Sequence, residues 1–129
     1  MKLGKLASNE FKQQYGTLIS KEMSIKASFK MKELTPLLET KIQIFEDAKK
    51  ELMKKFGDKD ESGELIMIPI EETEEKRLSL TPENEQALNK EYQELCELDI
   101  DVPSISASDF GEDFKLSPLA LDLLEFITE

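Results

Sequence analysis

The residues with the clearest chemical spacing are Asp58, Asp60 and Ser62, followed by Gly63 and Leu65. They match the entry half of a calcium loop, in which oxygen ligands sit at alternate positions ahead of a glycine. The closing half is missing. The position that should carry a bidentate glutamate is Pro69, and the one three before it is Ile66. Asp, Ser and Gly after a helix also make an ordinary polar turn. The sequence therefore predicts a helix-to-hairpin turn here, with Asp58, Asp60 and Ser62 as the candidate ligands of an alternative metal-binding reading. No cofactor is expected.

The second cluster is Glu71, Glu72, Glu74 and Glu75. Carboxylates that work as acid and base need a cleft that perturbs them. Four acids around one threonine, with no aromatic neighbour, read as a solvated tip and a candidate contact surface. The chain has no histidine, which removes Ser-His and Cys-His nucleophile pairs and His-ligated zinc. Its single cysteine, Cys96, can form neither an internal disulfide nor a multi-thiolate site. Following Leu88, Tyr92 and Leu95, it reads as a buried inert thiol. The five glycines are scattered singly, so no phosphate-cradling loop is present. These features predict a protein that is not an enzyme.

Apolar periodicity supplies the elements that would carry these residues. Leu3, Leu6, Phe11, Tyr15, Leu18 and Ile19 predict a helix over 3–22. Ser24 can cap a longer one, 24–57, in which Pro36 either kinks the helix or marks a break with Thr35 capping a new start. Gly57 offers a left-handed terminating residue after Lys54 and Lys55. Two short apolar segments around the acidic tip predict a hairpin or ribbon over 64–80, with Pro69 on an edge. Thr81-Pro82 opens a helix over 82–98. Residues 100–105 alternate as a strand that could join the ribbon, and Ser117-Pro118 opens a last, strongly apolar helix over 117–128. The expected fold is α+β and mostly helical, about four helices with a small ribbon, in one domain over 1–129 (a helical half, 1–57, then 58–129). Expected core residues are Leu6, Phe29, Leu38, Ile42, Phe45, Leu52, Phe56, Leu88, Tyr92, Leu95, Leu121, Leu124 and Phe126. Because the last helix is apolar over much of its circumference, Leu121, Leu124 and Phe126 are also candidate contact residues for another subunit.

The net charge of −11 is divided unevenly. Residues 1–57 carry twelve lysines against seven carboxylates, net +5, and residues 58–129 are net −16. The two parts either neutralise each other or leave an acidic face for a basic partner. Lys26, Lys30, Lys41 and Lys49 read as a solvated face, and neither nucleic acid nor membrane is an expected partner. No window approaches the roughly 20 apolar residues of a membrane span. Without a signal peptide, the protein is expected in a reducing cytoplasm.

Several stretches resemble a family of small proteins of unknown function from tailed bacteriophages and prophages. They are the opening "MKLGKLA", "IFEDAKKELMKKFGDKD", "NKEYQEL" followed by "IDVPSI", and the closing "LSPLALDLLEFI". The resemblance implies a phage-encoded protein acting in virion assembly or as a virion component. It would be present in the host bacterial cytoplasm during infection or in the particle. Its partners would be phage structural proteins or further copies of itself as an oligomer. The resemblance transfers no active-site residue. The alternative reading is an acidic phage-encoded inhibitor of a host defence or nucleic-acid-binding protein, its carboxylates standing in for phosphate.

Overall fold

The computed structural model describes residues 1–72, 74–111 and 114–128. Among these the fold is α+β and mostly helical, with five α-helices and two separate two-stranded sheets. The chain forms two compact units. One comprises Met1–Phe45 with Cys96–Glu129, and the other Glu46–Leu95.

In the first unit the expected helix over 3–22 is two helices, α1 (Leu3–Leu6) and α2 (Asn9–Ser20). Ser8 causes the break. Its hydroxyl donates to the Lys5 carbonyl at 2.7 Å and accepts from the Phe11 amide at 3.2 Å. It thus closes one helix and caps the next, local bonding that competes with helix continuation. Gly16 stays within α2.

α3 (Ile25–Phe56) passes Pro36 without a break and runs on into the second unit. Ser24 caps it, accepting from the Ala27 amide at 3.1 Å. Thr35 is not a second cap, because its hydroxyl donates back to the Met31 carbonyl at 2.8 Å. Pro36 lies on the exposed face, where water can serve the carbonyl that a proline nitrogen leaves unpaired. Ala27, Met31, Leu34, Leu38 and Phe45 are buried, the three-to-four spacing of an inward stripe. Phe29, expected in the core, falls two residues out of phase with that stripe and is 64% exposed.

The last helix is shorter than expected. α5 spans Pro118–Leu123, capped by the Ser117 hydroxyl, and the chain leaves helical geometry at Leu124 (φ −93°, ψ 65°). Ile127–Thr128 then form β4, which pairs in parallel with β3 (Ile105–Ser106). The strand expected over 100–105 is confined to β3, and it pairs with the C-terminal segment rather than with the ribbon. Consecutive aromatic and β-branched residues at 126–128 suit a strand better than a helix. Phe126 closes a ring cluster with Phe11 and Tyr15 at centroid distances of 6.4 and 6.1 Å. The N-terminal segment ties this unit together. The Leu3 amide donates to the Leu98 carbonyl at 2.8 Å, and Lys5 Nζ reaches the Asp122 carbonyl at 2.7 Å. There it caps the end of α5, where a cation is favoured.

In the second unit, β1 (Met67–Pro69) and β2 (Lys76–Leu78) form the expected antiparallel hairpin, with Ile68 opposite Arg77. α4 (Pro82–Cys96) begins as the sequence indicates: Thr81 Oγ1 accepts from the Asn84 amide at 3.2 Å. Asn84 in turn donates to the Phe56 carbonyl at 3.1 Å, capping the end of α3. Gly57 is not left-handed; the only glycines with positive φ among the described residues are Gly63 and Gly111. It is there for space, since a Cβ would stand 2.6 Å from the Met53 carbonyl oxygen and 2.8 Å from Leu65 Cδ2. Leu52, Phe56, Leu88, Tyr92 and Leu95, expected in the core, are only half-buried, and every fully buried apolar residue described lies in the first unit. Cys96 is also half-buried rather than enclosed, packed so tightly on Gly4 that a Cβ there would lie 2.6 Å from its own.

Candidate interaction surface

Asp58, Asp60 and Ser62 do not converge on a common point for a ligand. Asp60 Oδ1 accepts from the Ser62 amide at 2.9 Å, the Ser62 hydroxyl at 2.6 Å and the Glu64 amide at 3.1 Å. These bonds hold its carboxyl below the usual carboxylate range, the Ser62 hydroxyl contributing most. Asp58 turns to β2, accepting from the Ser79 hydroxyl at 2.8 Å. With Gly63 at φ 87°, this is a capped polar turn leading into the hairpin. No group of three or more Cys, Asp or Glu among the described residues is gathered as a metal site would need.

The acidic tip is where the sequence places it. Glu71, Glu72, Glu74 and Glu75 are exposed at the end of the hairpin, which the Ile70 amide closes onto the Glu75 carbonyl at 3.0 Å. Glu72 turns the chain with a φ of 65°. Ile66, Met67 and Ile70, on the same hairpin, are each 37–39% exposed.

Of the three C-terminal candidates, Leu124 is 0% and Phe126 3% exposed, so both lie in this unit's own core, the first of their two expected places, while Leu121, expected in the core as well, is about half exposed. Ala120 and Leu124 stand one turn apart on the inward side, and Leu121 is about 100° of helix away from Ala120.

Sequence reasoning missed an apolar groove on the surface. A groove of about 420 Å³ runs between the end of α2 and α3, lined among others by Ile19, Met23, Met31, Thr35 and Pro36. A second hollow of about 250 Å³ shares Ile19 and Thr35 and extends to Phe11, Gly16 and Ile42. Gly16 leaves open space, with no heavy atom within 4 Å of a Cβ placed there. Thr35 gives its one proton to Met31, so in the 2.5 Å bond between Tyr15 and Thr35 the phenol donates. Burial raises the Tyr15 pKa and keeps that proton in place.

Lys21 and Lys32 line the groove, and Lys12 and Glu39 line the second hollow. Lys21 Nζ sits 5.6 Å from the Phe114 ring centre and donates to the Lys115 carbonyl at 3.2 Å. Lys12 and Lys32 are exposed and hold no ion pair among the described residues. On α3, Ile25 (89% exposed) and Phe29 share a face with Lys32 and Pro36, at spacings of four, three and four. The apolar surface therefore continues past the wall of the groove.

Beside it, α3 is clasped to the short 3-10 turn Ala107–Phe110. Asp109 takes Lys26 at 3.0 Å and Lys30 at 2.5 Å, and the Ser24 hydroxyl donates to its backbone carbonyl. The Lys30 bond, then Lys26, depresses the Asp109 pKa. Two lysines read from the sequence as a solvated face are thus engaged within the fold. No helix among the described residues is long and apolar enough to cross a membrane. No family model, curated protein or solved structure matches the chain.

Proposed function

We propose that this chain is a non-enzymatic structural or assembly protein of a tailed bacteriophage, working through protein–protein contacts. The observation that carries the contact reading is the apolar surface on α2 and α3. An isoleucine at 89% exposure and a phenylalanine at 64% adjoin an open, apolar-lined groove with lysines around it. Isolated exposed apolar residues are ordinary, but a contiguous patch rimmed by polar groups marks a contact site. Met23 adds a side chain that adapts to an incoming surface. The phage setting rests on the resemblance of the opening, central and closing stretches.

Quantitative mass spectrometry of purified particles tests the reading. A virion part is expected at fixed stoichiometry. An assembly factor is expected in precursor particles and lost from mature ones. Absence from both overturns the phage assignment. Turnover of a substrate by the pure protein, abolished by a single substitution, overturns the non-enzymatic one.

A further inference from the structure

We propose that the groove between α2 and α3 receives the acidic hairpin of a second copy of this chain, so that copies associate head to tail. This inference rests on the protein-contact reading above and names the partner for it. Both surfaces lie open, and each supplies what the other lacks. The groove offers Ile19 and Met23 with Lys32, the adjoining hollow adds Lys12 beside Glu39, and Ile25 and Phe29 continue the apolar surface. The hairpin offers Ile70, partly exposed, beside the exposed carboxylates of Glu71, Glu72 and Glu74, with Ile66 four residues earlier on the same face of the strand.

Each copy is net −11, so two copies repel at long range and association needs local complementarity of this kind. Lys12 and Lys32 are free to supply it, whereas Lys26 and Lys30 are occupied by Asp109. The two surfaces are different patches of the same chain, so copies can exchange the contact reciprocally across a two-fold axis or pass it on in a ring or row.

The test is sedimentation of the full-length chain at one fixed ionic strength, with two charge-reversed variants. In the first, Lys12→Glu and Lys32→Glu invert the groove rim. In the second, Glu71→Lys, Glu72→Lys and Glu74→Lys invert the hairpin tip. All five positions are exposed, and circular dichroism checks that each variant keeps its helical signal. The wild type is expected to grow heavier with concentration. Each variant alone is expected to self-associate at least about tenfold more weakly, because like charges then face each other. An equimolar mixture of the two is expected to associate again, since the inverted rim of one meets the inverted tip of the other while both stay net negative. A wild type that remains monomeric throughout overturns the proposal. So does association unchanged by either set of reversals, or a mixture that stays apart. Particle composition is measured independently, so the failure of head-to-tail contact is distinguishable from the failure of the structural-protein reading.

Discussion

Leu124 is fully enclosed, while Leu121, three positions earlier, is about half exposed. Replacing Leu124 by alanine is expected to cost about 2–5 kcal/mol, the range for emptying a packed leucine site. The same change at Leu121 should stay within about 0.5 kcal/mol. Urea unfolding of the two variants checks the contrast, and equal losses would contradict the burial assignment. Asp109 gives a second residue-scale test. Its carboxyl titrates below the ordinary value because Lys30 and Lys26 favour the charged form. The resulting stabilisation is present above the unfolded carboxylate pKa of about 3.9 and is lost as pH falls through the lower folded value. Asp109→Asn should therefore unfold more easily than wild type at pH 7, and the gap should close on acidification below about pH 4. Melting curves across pH read this directly. The enclosure of Leu124 was expected from the sequence and the exposure of Leu121 was not, while the Asp109 clasp was not legible at single positions. The sequence shows Lys26 and Lys30 as helix-surface lysines, and the carboxylate that holds them lies about eighty residues away.

Among the elements, the starts were legible and several ends were not. Ser24, Thr81-Pro82 and Ser117-Pro118 act through bonds spanning three residues, which a linear pattern contains in full. The end of α5 depends instead on pairing between Ile105 and Ile127, a partner no local window includes. Leu124 and Phe126 fit an apolar helix equally well on paper, which is why the expected helix ran on to 128. The junction of α3 with the hairpin shows the same limit. Gly57 was correctly marked as the stop, but its role is close approach rather than backbone handedness. Gly57→Ala is accordingly expected to destabilise by about 1–3 kcal/mol through overpacking against Met53, Leu65 and Leu78. Gly16→Ala, in open space within α2, should instead gain roughly 0.5–1 kcal/mol. Thermal unfolding of the two glycine variants should move in opposite directions; a shared direction would contradict these two roles.

Over the whole molecule, the α+β, mostly helical character followed from apolar period and caps. The contact surface did not, because its parts are far apart in the chain. Lys12 and Lys32 are twenty residues apart, and the hollow near Gly16 exists only once α2 lies against α3. The charge asymmetry was visible, but which lysines remain free depended on where Asp109 falls. The surface most open to a partner is the α3 face holding Ile25 and Phe29. Replacing both with aspartate leaves the core intact, since each is largely exposed. The most direct measurement is the sedimentation of this double variant beside the wild type, over the same concentration series. Concentration-dependent association by the wild type, its loss in Ile25→Asp/Phe29→Asp, and an unchanged unfolding midpoint are the expected results. Identical sedimentation of the two proteins would contradict a contact role for this face.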